Sequence, residues 1–215
     1  MKRILGYVAA LVLVALFSGC DRGGVRFVVK CSGLSPHQTY YLTPFDDLRR
    51  YYLKDKADGS GNVRFEGVIE QPVYASICNS LGAKVASLFV EKGTITISSD
   101  GTSLSVQGTP SNDAYSAYLF AADSILGTYL AVQETTPETV EAYERQIDSL
   151  DDALWQNNTD KILGVHLFAT EQINVLSEEQ LAEWFERFSA DMQQHPYMEA
   201  VREKLNSEKK IEEKE

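Results

Sequence analysis

The sequence has few of the residues that build metal and catalytic sites. Its 215 residues include only three histidines and three cysteines. His37, His166 and His195 are too far apart for the i, i+4 spacing of a helical metal site, and none adjoins a cysteine. We therefore predict no metal and no other cofactor. We interpret the three as structural residues, with His37 in a turn, His166 within a buried helix and His195 before a proline.

Signatures of enzymes and of nucleic-acid-binding proteins are also missing. The segment GTPSNDAY (108–115) has neither a nucleophile elbow nor a phosphate-binding glycine pattern. DKADGSGN (55–62) has acids at its first and fourth positions, unlike a calcium loop, and is interpreted as a turn. The acidic pairs at 46–47 and 151–152 are interpreted as surface charge. A net charge of −11 without a basic stripe argues against nucleic acid as a partner. We predict that the protein is not an enzyme.

No apolar run is long enough for a comfortable membrane span, but a shorter one opens the chain. After the basic start MKR, the run extends to Phe17, which indicates a secretory signal peptide at 1–19. FSGC (17–20) resembles the lipobox of bacterial lipoproteins, although Phe17 replaces the usual aliphatic residue. The resemblance implies cleavage before Cys20, lipidation of that residue, and a tether at 20–24. An ordinary signal peptide with a chance cysteine is the alternative.

Residues 25–108 show the alternation and the turn residues of short strands, and we predict an antiparallel β domain there. The predicted strands are 25–31, 39–42, 50–53, 63–69, 73–78, 84–90, 94–98 and 104–107. We expect a hairpin across the turn 56–62 and a second one across 91–93. The predicted architecture is a β-sandwich or an open barrel.

From residue 109 the apolar period changes to about 3.6, which predicts a helical region at 109–206 with about five helices. One side of the first helix is predicted to carry Tyr115, Leu119, Ala122, Leu126, Tyr129 and Leu130. Its polar start, SNDA (111–114), is expected to satisfy the free amides of the helix. The next helix carries Val140, Tyr143, Ile147, Leu150 and Leu154 and is expected to pack on a neighbouring helix. The fold class is therefore predicted as α+β.

Four signals define where the helices of this region lie. Pro137 behind Thr136 predicts a helix start. KILGVHLFATEQINVL (161–176) is apolar on nearly all sides and predicts a buried helix. Ser177 and Gln180 form a capping box, and Leu181, Trp184, Phe185 and Phe188 are assigned to the helix that follows. A last helix is predicted from Pro196, and 207–215 is interpreted as a charged tail.

Cys31 and Cys78 could form a disulfide in an oxidising compartment. Each ends a short apolar run, where a reduced cysteine serves as a small buried apolar residue, and two arbitrary strand positions seldom meet the geometry of a disulfide. We predict two separate buried thiols. Ser124 and Ser149 lie in Asp-Ser-aliphatic triplets that resemble a short O-glycosylation motif, but helix patterning explains both triplets without modification.

Several segments together resemble the domain of unknown function that precedes thioredoxin-like domains in many bacterial envelope lipoproteins. They are DGSGNVRFEG (58–67), QPVYASI (71–77), ASLFVEKGTITIS (86–98), VQGTPSNDAY (106–115), ILGVHLF (162–168), LSEEQLAEWFERFS (176–189) and QQHPYMEAVREKL (193–205). In those relatives a thioredoxin fold with a C-x-x-C pair follows. Cys31 and Cys78 are 47 positions apart and cannot form that motif, so the oxidoreductase activity is not transferred.

These observations predict a non-catalytic lipoprotein of the bacterial envelope that acts as a binding or assembly module. Its expected partners are membrane lipid, through Cys20, and another envelope protein. The alternative is an accessory subunit of a thiol-disulfide redox system whose thioredoxin fold lies on a separate chain. Asp21 would indicate the inner membrane under the enteric sorting rule, but relatives of this type often follow other rules, and the outer membrane is favoured.

Overall fold

The computed structural model describes residues 24–45, 50–100, 104–132 and 134–212, with side chains up to 207. Strands come first and helices follow, which confirms the predicted α+β class. The strands are β1 (Val25–Ser32), β2 (Thr39–Pro44), β3 (Leu53–Lys56), β4 (Val63–Ile69), β5 (Val73–Asn79), β6 (Lys84–Val90), β7 (Gly93–Ser99) and β8 (Leu104–Gln107).

The strands form two four-stranded sheets, so the sandwich alternative is correct and the barrel alternative is not. Sheet A has the order β4-β1-β7-β8, and sheet B has the order β3-β2-β5-β6. All neighbouring strands are antiparallel except β1 and β7, which are parallel with Phe27 opposite Gly93. The alternating apolar residues of both sheets face each other and form the first core, as Val29 and Phe65 of sheet A and Leu42 and Ile77 of sheet B illustrate.

Both predicted hairpins are wrong. β3 pairs with β2 while β4 pairs with β1, so the turn between β3 and β4 takes the chain from sheet B to sheet A. The turn after β6 likewise leads into β7 of the other sheet. The predicted strand at 50–53 is also shifted to Leu53–Lys56. Tyr51 precedes the strand and packs its ring edge-on against Tyr41, with 5.4 Å between centroids.

The helices are α1 (Pro110–Leu130), α2 (Pro137–Gln156), α3 (Ile162–Thr170), α4 (Glu178–Phe185), α5 (Ala190–Gln193) and α6 (Glu199–Glu212), with 3-10 turns at Gln172–Asn174 and Pro196–Met198. Five of them have at least eight residues, as predicted. The helix predicted over 161–176 ends at Thr170, and α4 ends before Phe188. The Ser177–Gln180 capping box is confirmed, with Ser177 Oγ accepting from Gln180 N and Gln180 Oε1 accepting from Ser177 N.

A second core lies between the helices and the outer face of sheet B. Trp155, Phe168, Leu181 and Met198 are buried there, and Phe89 of β6 joins them. In the described part of the chain, no helix is both long and apolar enough to cross a membrane. By contrast, the outward side chains in the middle of sheet A, on β1, β4 and β7, are largely exposed to solvent. The helices therefore cover one sheet of the sandwich and leave the other open.

Candidate functional site, an exposed helical arm

Residues 119–130 of α1 and 137–150 of α2 form a two-helix hairpin, which we call the helical arm. Among the described residues between 113 and 153, none is buried. The two helices pack against each other, and the rings of Tyr129 and Tyr143 lie 4.6 Å apart. The prediction that the second helix packs on a neighbouring helix of the chain is therefore confirmed. The arm has only this narrow contact between its helices and no core of its own.

Local sequence defines where the second helix of the arm begins. Thr136 Oγ1 accepts from the Thr139 N–H, and Thr139 Oγ1 accepts from the Thr136 N–H at 2.9 Å. Pro137 occupies the first turn, where its missing N–H has no partner to lose. The helix start predicted from Pro137 is confirmed.

An apolar ridge runs along the solvent side of the arm. Leu119, Leu126 and Leu130 recur at spacings of seven and four, so they share one flank of α1, and Phe120 lies beside them. Their exposed fractions are 45% for Leu119, 79% for Phe120, 40% for Leu126 and 70% for Leu130. The sequence pattern predicts the three leucines on the same side as Tyr129, but Tyr129 packs on Tyr143 of α2, and Ile125 and Tyr129 line the groove between the two helices. Contiguous exposed apolar residues of this kind mark interaction surfaces.

The surroundings of the ridge are acidic. Residues 119–150 contain six Asp and Glu residues against one basic residue, Arg145. The asymmetry extends to the whole molecule, because residues 110–206 contain 18 acidic and 5 basic residues, whereas 25–108 contain 8 and 9. A partner that binds the ridge must therefore tolerate a strong negative potential, and a basic rim on that partner would favour association.

The arm offers a place for a partner's side chain. A shallow groove of about 150 Å³ lies between its helices and is lined by residues that include Ile125, Tyr129, Ala142 and Tyr143. The lining is mostly apolar, with Thr128, Thr139 and Gln146 as polar residues. Such a surface can bind an apolar side chain but carries no nucleophile paired with a base.

The predicted surface pair at 151–152 lies close to other polar groups. Burial, then the charge of Asp151, raises the pKa of Glu171. Burial and Asp151 likewise raise the pKa of the Tyr118 hydroxyl. The ring of Tyr118 is stacked on Tyr115 with 5.8 Å between centroids. Burial is the main cause of both shifts and the neighbouring Asp151 carboxylate adds to it, so the cluster does not by itself define an active site.

The two thiols of the described chain are separate, as predicted. Cys31 and Cys78 are both buried and unbonded. Cys31 of β1 lies in the core between the sheets, and burial raises the pKa of its thiol to about 12. Cys78 of β5 follows Ile77, which faces that core, and its sulfur lies 3.6 Å from Thr43 Oγ1. Because neighbouring strand residues face opposite ways, sheet B separates the two sulfur atoms.

His166 has an aromatic environment. Its ring lies 4.4 Å from that of Tyr74 and within about 6 Å of Phe45, Phe89 and Tyr197. Desolvation by these neighbours lowers the pKa of His166 to about 4. The imidazole is therefore neutral at pH 7, and it packs helix α3 against sheet B. This is the structural role predicted for it.

His195 is a structural histidine with both ring nitrogens bonded. Nδ1 accepts from the Tyr197 N–H, so Nε2 carries the proton and donates to the Pro72 carbonyl at 2.8 Å. The Tyr74 N–H donates to the Tyr197 hydroxyl, which adds a second tie between the last helices and β5. Burial, opposed by the bond to Pro72, lowers the pKa of His195. His37, at φ 62°, lies in a turn as predicted.

Residues 57–62 form the turn predicted for 55–62, whereas Asp55 and Lys56 end strand β3. Asp58 Oδ1 accepts from the main-chain N–H groups of Ser60 and Asn62 at 2.8 and 2.9 Å. These bonds, above all that from Asn62, lower the pKa of the Asp58 carboxyl. Gly61 has φ +76° and lies against Leu34, whose carbonyl would be 2.1 Å from an added Cβ. The Asp58 carboxylate therefore stabilises the turn in which it lies.

The polar start of α1 does more than the sequence predicted. Asn112 bonds to the main chain of Phe89 rather than to helix amides. The Glu91 carboxylate accepts from both the N–H and the hydroxyl of Ser111, at 2.7 and 2.9 Å, and so caps the helix from the sandwich side. Asp113 accepts from the Gly108 N–H at 2.7 Å. These side chains attach the helix to the β-sandwich.

Some predicted positions lie outside the described residues, namely Cys20 with the signal peptide and the pair at 46–47. Ser124 and Ser149 are both described, and both are exposed on or beside the arm. The main-chain carbonyl of Ser124 accepts from Thr128 Oγ1 at 2.9 Å, within the same helix.

The fold and the site define an α+β protein with a β-sandwich whose attached helices carry an exposed arm. Residues 26–115 match the family model described as "Domain of unknown function (DUF4369)". This segment of the chain is therefore similar to that family, and the predicted resemblance to a domain of unknown function is confirmed. The match covers the β-sandwich and the start of α1, so the resemblance of the later helices stays a prediction. No curated protein matches the chain.

Proposed function

We propose that this protein is a non-catalytic, lipid-anchored binding module of the bacterial envelope, in which Cys20 carries the lipid and the helical arm carries the binding surface. The observation that supports a binding role is the exposed ridge of Leu119, Phe120, Leu126 and Leu130. Support for the anchor comes from the sequence, where a short apolar run ends at FSGC (17–20). The outer membrane remains the favoured location.

The proposed partner is an envelope protein with an apolar groove and a basic rim. The ridge supplies apolar area to bury, and the acidic residues of the arm repel a second copy while attracting positive charge. Nucleic acid is disfavoured as a partner by the same acidic surface.

The anchor is tested by replacing its attachment point. In cells, Cys20→Ala should abolish metabolic labelling with palmitate and release the protein from the membrane fraction. The matched control is Cys31→Ala, which changes a buried thiol and should leave labelling intact. Persistent labelling of Cys20→Ala would refute the lipoprotein assignment.

The binding surface is tested by photo-crosslinking in cells, with p-benzoylphenylalanine in place of Phe120. We expect a discrete crosslinked adduct that weakens as salt is raised. The adduct should be lost in Leu119→Gln/Leu126→Gln/Leu130→Gln, which keeps helix-forming residues. The control variant Leu81→Gln/Val175→Gln changes two residues that are 89% and 75% exposed outside the arm, and it should retain the adduct. An adduct that survives the triple substitution would contradict the proposed surface.

The alternative, an accessory subunit of a thiol-disulfide system, makes a different prediction. It requires that a thioredoxin-like protein forms the adduct with the arm. On its own the purified chain should not accelerate insulin reduction by dithiothreitol, because the Cys31 thiol is buried with a pKa of about 12. Turnover that depends on Cys31 would instead show that the protein itself is an oxidoreductase.

A further inference from the structure

The outer face of sheet A is the one large surface of the sandwich that the described helices leave open, and its charge differs from that of the rest of the molecule. Outward side chains of β1 include Arg26 and Lys30, and those of β4 include Arg64 and Glu66. Lys30 lies directly opposite Arg64 in the strand register. The only acid on these two strands, Glu66, pairs with Arg64 at 2.7 Å, which leaves Arg26 and Lys30 as excess positive charge.

The remaining outward residues of this face suit contact with a polar surface. Thr94, Thr96 and Ser98 of β7 are exposed or partly exposed hydroxyl residues, and Thr96 lies beside Lys30 in the register. At one end of the strands, Asp55, Lys56 and Asp58 border the face and add one net negative charge, which is less than the two positive charges of Arg26 and Lys30. The face is therefore mildly cationic and rich in hydrogen-bonding groups.

The chain enters the fold on this same face. The main chain of Gly24 lies against Val68, so closely that an added Cβ would be 2.4 Å from Val68 Cγ1. The Val68 side chain is 60% exposed and points outward, as Arg64 and Glu66 do on the same strand. Four peptide units separate Cys20 from Gly24, so an extended chain spans about 14 Å at most. A lipid on Cys20 would hold this face close to the membrane.

We infer that the outer face of sheet A is the surface that rests on anionic lipid headgroups when the protein is anchored through Cys20. This inference rests on the proposed lipid anchor. Arg26 and Lys30 would be attracted to the lipid phosphates, while residues 110–206, with 18 acidic against 5 basic residues, would be repelled. The two effects favour the same orientation, in which the helical half faces away from the membrane and stays accessible to a protein partner.

The orientation can be measured with a chemical anchor. The chain from Cys20 onward would be coupled through that thiol to maleimide lipid in vesicles, because Cys31 and Cys78 are buried and protected. A p-benzoylphenylalanine at Thr96 reports lipid contact at sheet A, and one at Glu144 of α2 is the reference. On vesicles of phosphatidylglycerol and phosphatidylcholine in equal parts, we expect much stronger lipid crosslinking at Thr96. A second p-benzoylphenylalanine reporter at Thr94 should give the same result, which excludes an effect of the substitution at Thr96 itself.

Charge variants then test the cause. Arg26→Gln/Lys30→Gln should lower the Thr96-to-Glu144 labelling ratio about tenfold, since each cation near an anionic surface contributes to the attraction. The control Arg145→Gln/Lys161→Gln also removes two positive charges, but from the helical half, and it should not lower the labelling ratio. Vesicles of pure phosphatidylcholine, which carry no net charge, should lower the labelling ratio as much as Arg26→Gln/Lys30→Gln does. Equal labelling at both positions, or a ratio insensitive to Arg26 and Lys30, would overturn the inference. Since the anchor is supplied chemically, failure of Cys20 lipidation in cells would refute only the proposed function.

Discussion

The side-chain amide of Asn112 pairs with both main-chain polar groups of Phe89. Its Oδ1 accepts from the Phe89 N–H at 2.9 Å, and its Nδ2 donates to the Phe89 carbonyl at 2.7 Å and to Thr109 Oγ1 at 2.7 Å. Phe89 belongs to β6, the edge strand of sheet B, whose free main-chain groups would otherwise need other partners. A single side chain thus ends a sheet and positions the helix that carries the arm.

Asn112→Ala should therefore lower the free energy of unfolding by about 2–4 kcal/mol, because it leaves the buried Phe89 N–H and carbonyl without partners. Urea denaturation measured by circular dichroism gives this value. The exposed Asn206→Ala is the control and should change stability by less than about 0.5 kcal/mol. Asn112→Asp should also destabilise, since a carboxylate cannot donate to the Phe89 carbonyl. A neutral effect of Asn112→Ala would contradict the assigned role.

Acidification should destabilise the fold through His166. Its folded pKa of about 4 lies below the unfolded value near 6.5, so the unfolded state binds more protons between these values. The His166 contribution is complete above pH 6.5 and is lost as pH falls towards 4. Between pH 7 and pH 5 the loss is about 1–2 kcal/mol. Urea unfolding of the wild type and of His166→Phe at both pH values checks this, and the variant should show the smaller pH dependence. Equal pH dependence in both proteins would contradict it.

The thiols should be reduced and protected. In Cys20→Ala, iodoacetamide should add no label to the native protein and two labels after denaturation, because Cys31 and Cys78 are buried and unbonded. Mass spectrometry without reduction counts the labels. Zero labels after denaturation would indicate a disulfide, which would require the sulfur atoms to meet across sheet B.

Alanine substitutions at the neighbouring residues Ile125 and Leu126 should change the stability of the fold by different amounts. Ile125 is partly buried and lines the groove between α1 and α2, whereas Leu126 is 40% exposed. Ile125→Ala should cost about 1–2 kcal/mol of stability, less than at a fully buried site, and Leu126→Ala about 0.5 kcal/mol or less. Urea denaturation of both variants tests the assignment of the two flanks. If Leu126→Ala were the more destabilising change, the ridge would be part of a core.

Local patterns in the sequence predicted the elements well, but not their partners. Alternation identifies strands such as Val63–Ile69 and Lys84–Val90, because it records which side chains face a core. Alternation does not show which strand pairs with which. The sequence therefore predicts hairpins at the β3–β4 and β6–β7 connections, where the chain in fact crosses from one sheet to the other. Asn112 was assigned to its own helix because its partner, Phe89, is 23 positions away.

The helical arm was the least predictable feature for a related reason. A 3.6-residue period shows that α1 has apolar positions, but it does not show whether another element covers them. Leu126 and Tyr129 belong to the same predicted stripe, yet one is exposed and the other contacts α2. Periodicity could not separate these two flanks, and only the packing of α2 does so.

The parallel pairing of β1 with β7 has a consequence for how the protein forms. β1 is the first strand of the chain, but it lies in the interior of sheet A between β4 and β7. Phe27 must pair with Gly93, 66 residues later in the sequence, before sheet A is complete. Contacts at such separation fold slowly, on the millisecond-to-second scale typical of β-sandwiches. If the chain is exported from its N-terminus, β1 leaves the translocation channel first and can pair with β4, but its second edge stays unpaired until β7 has followed.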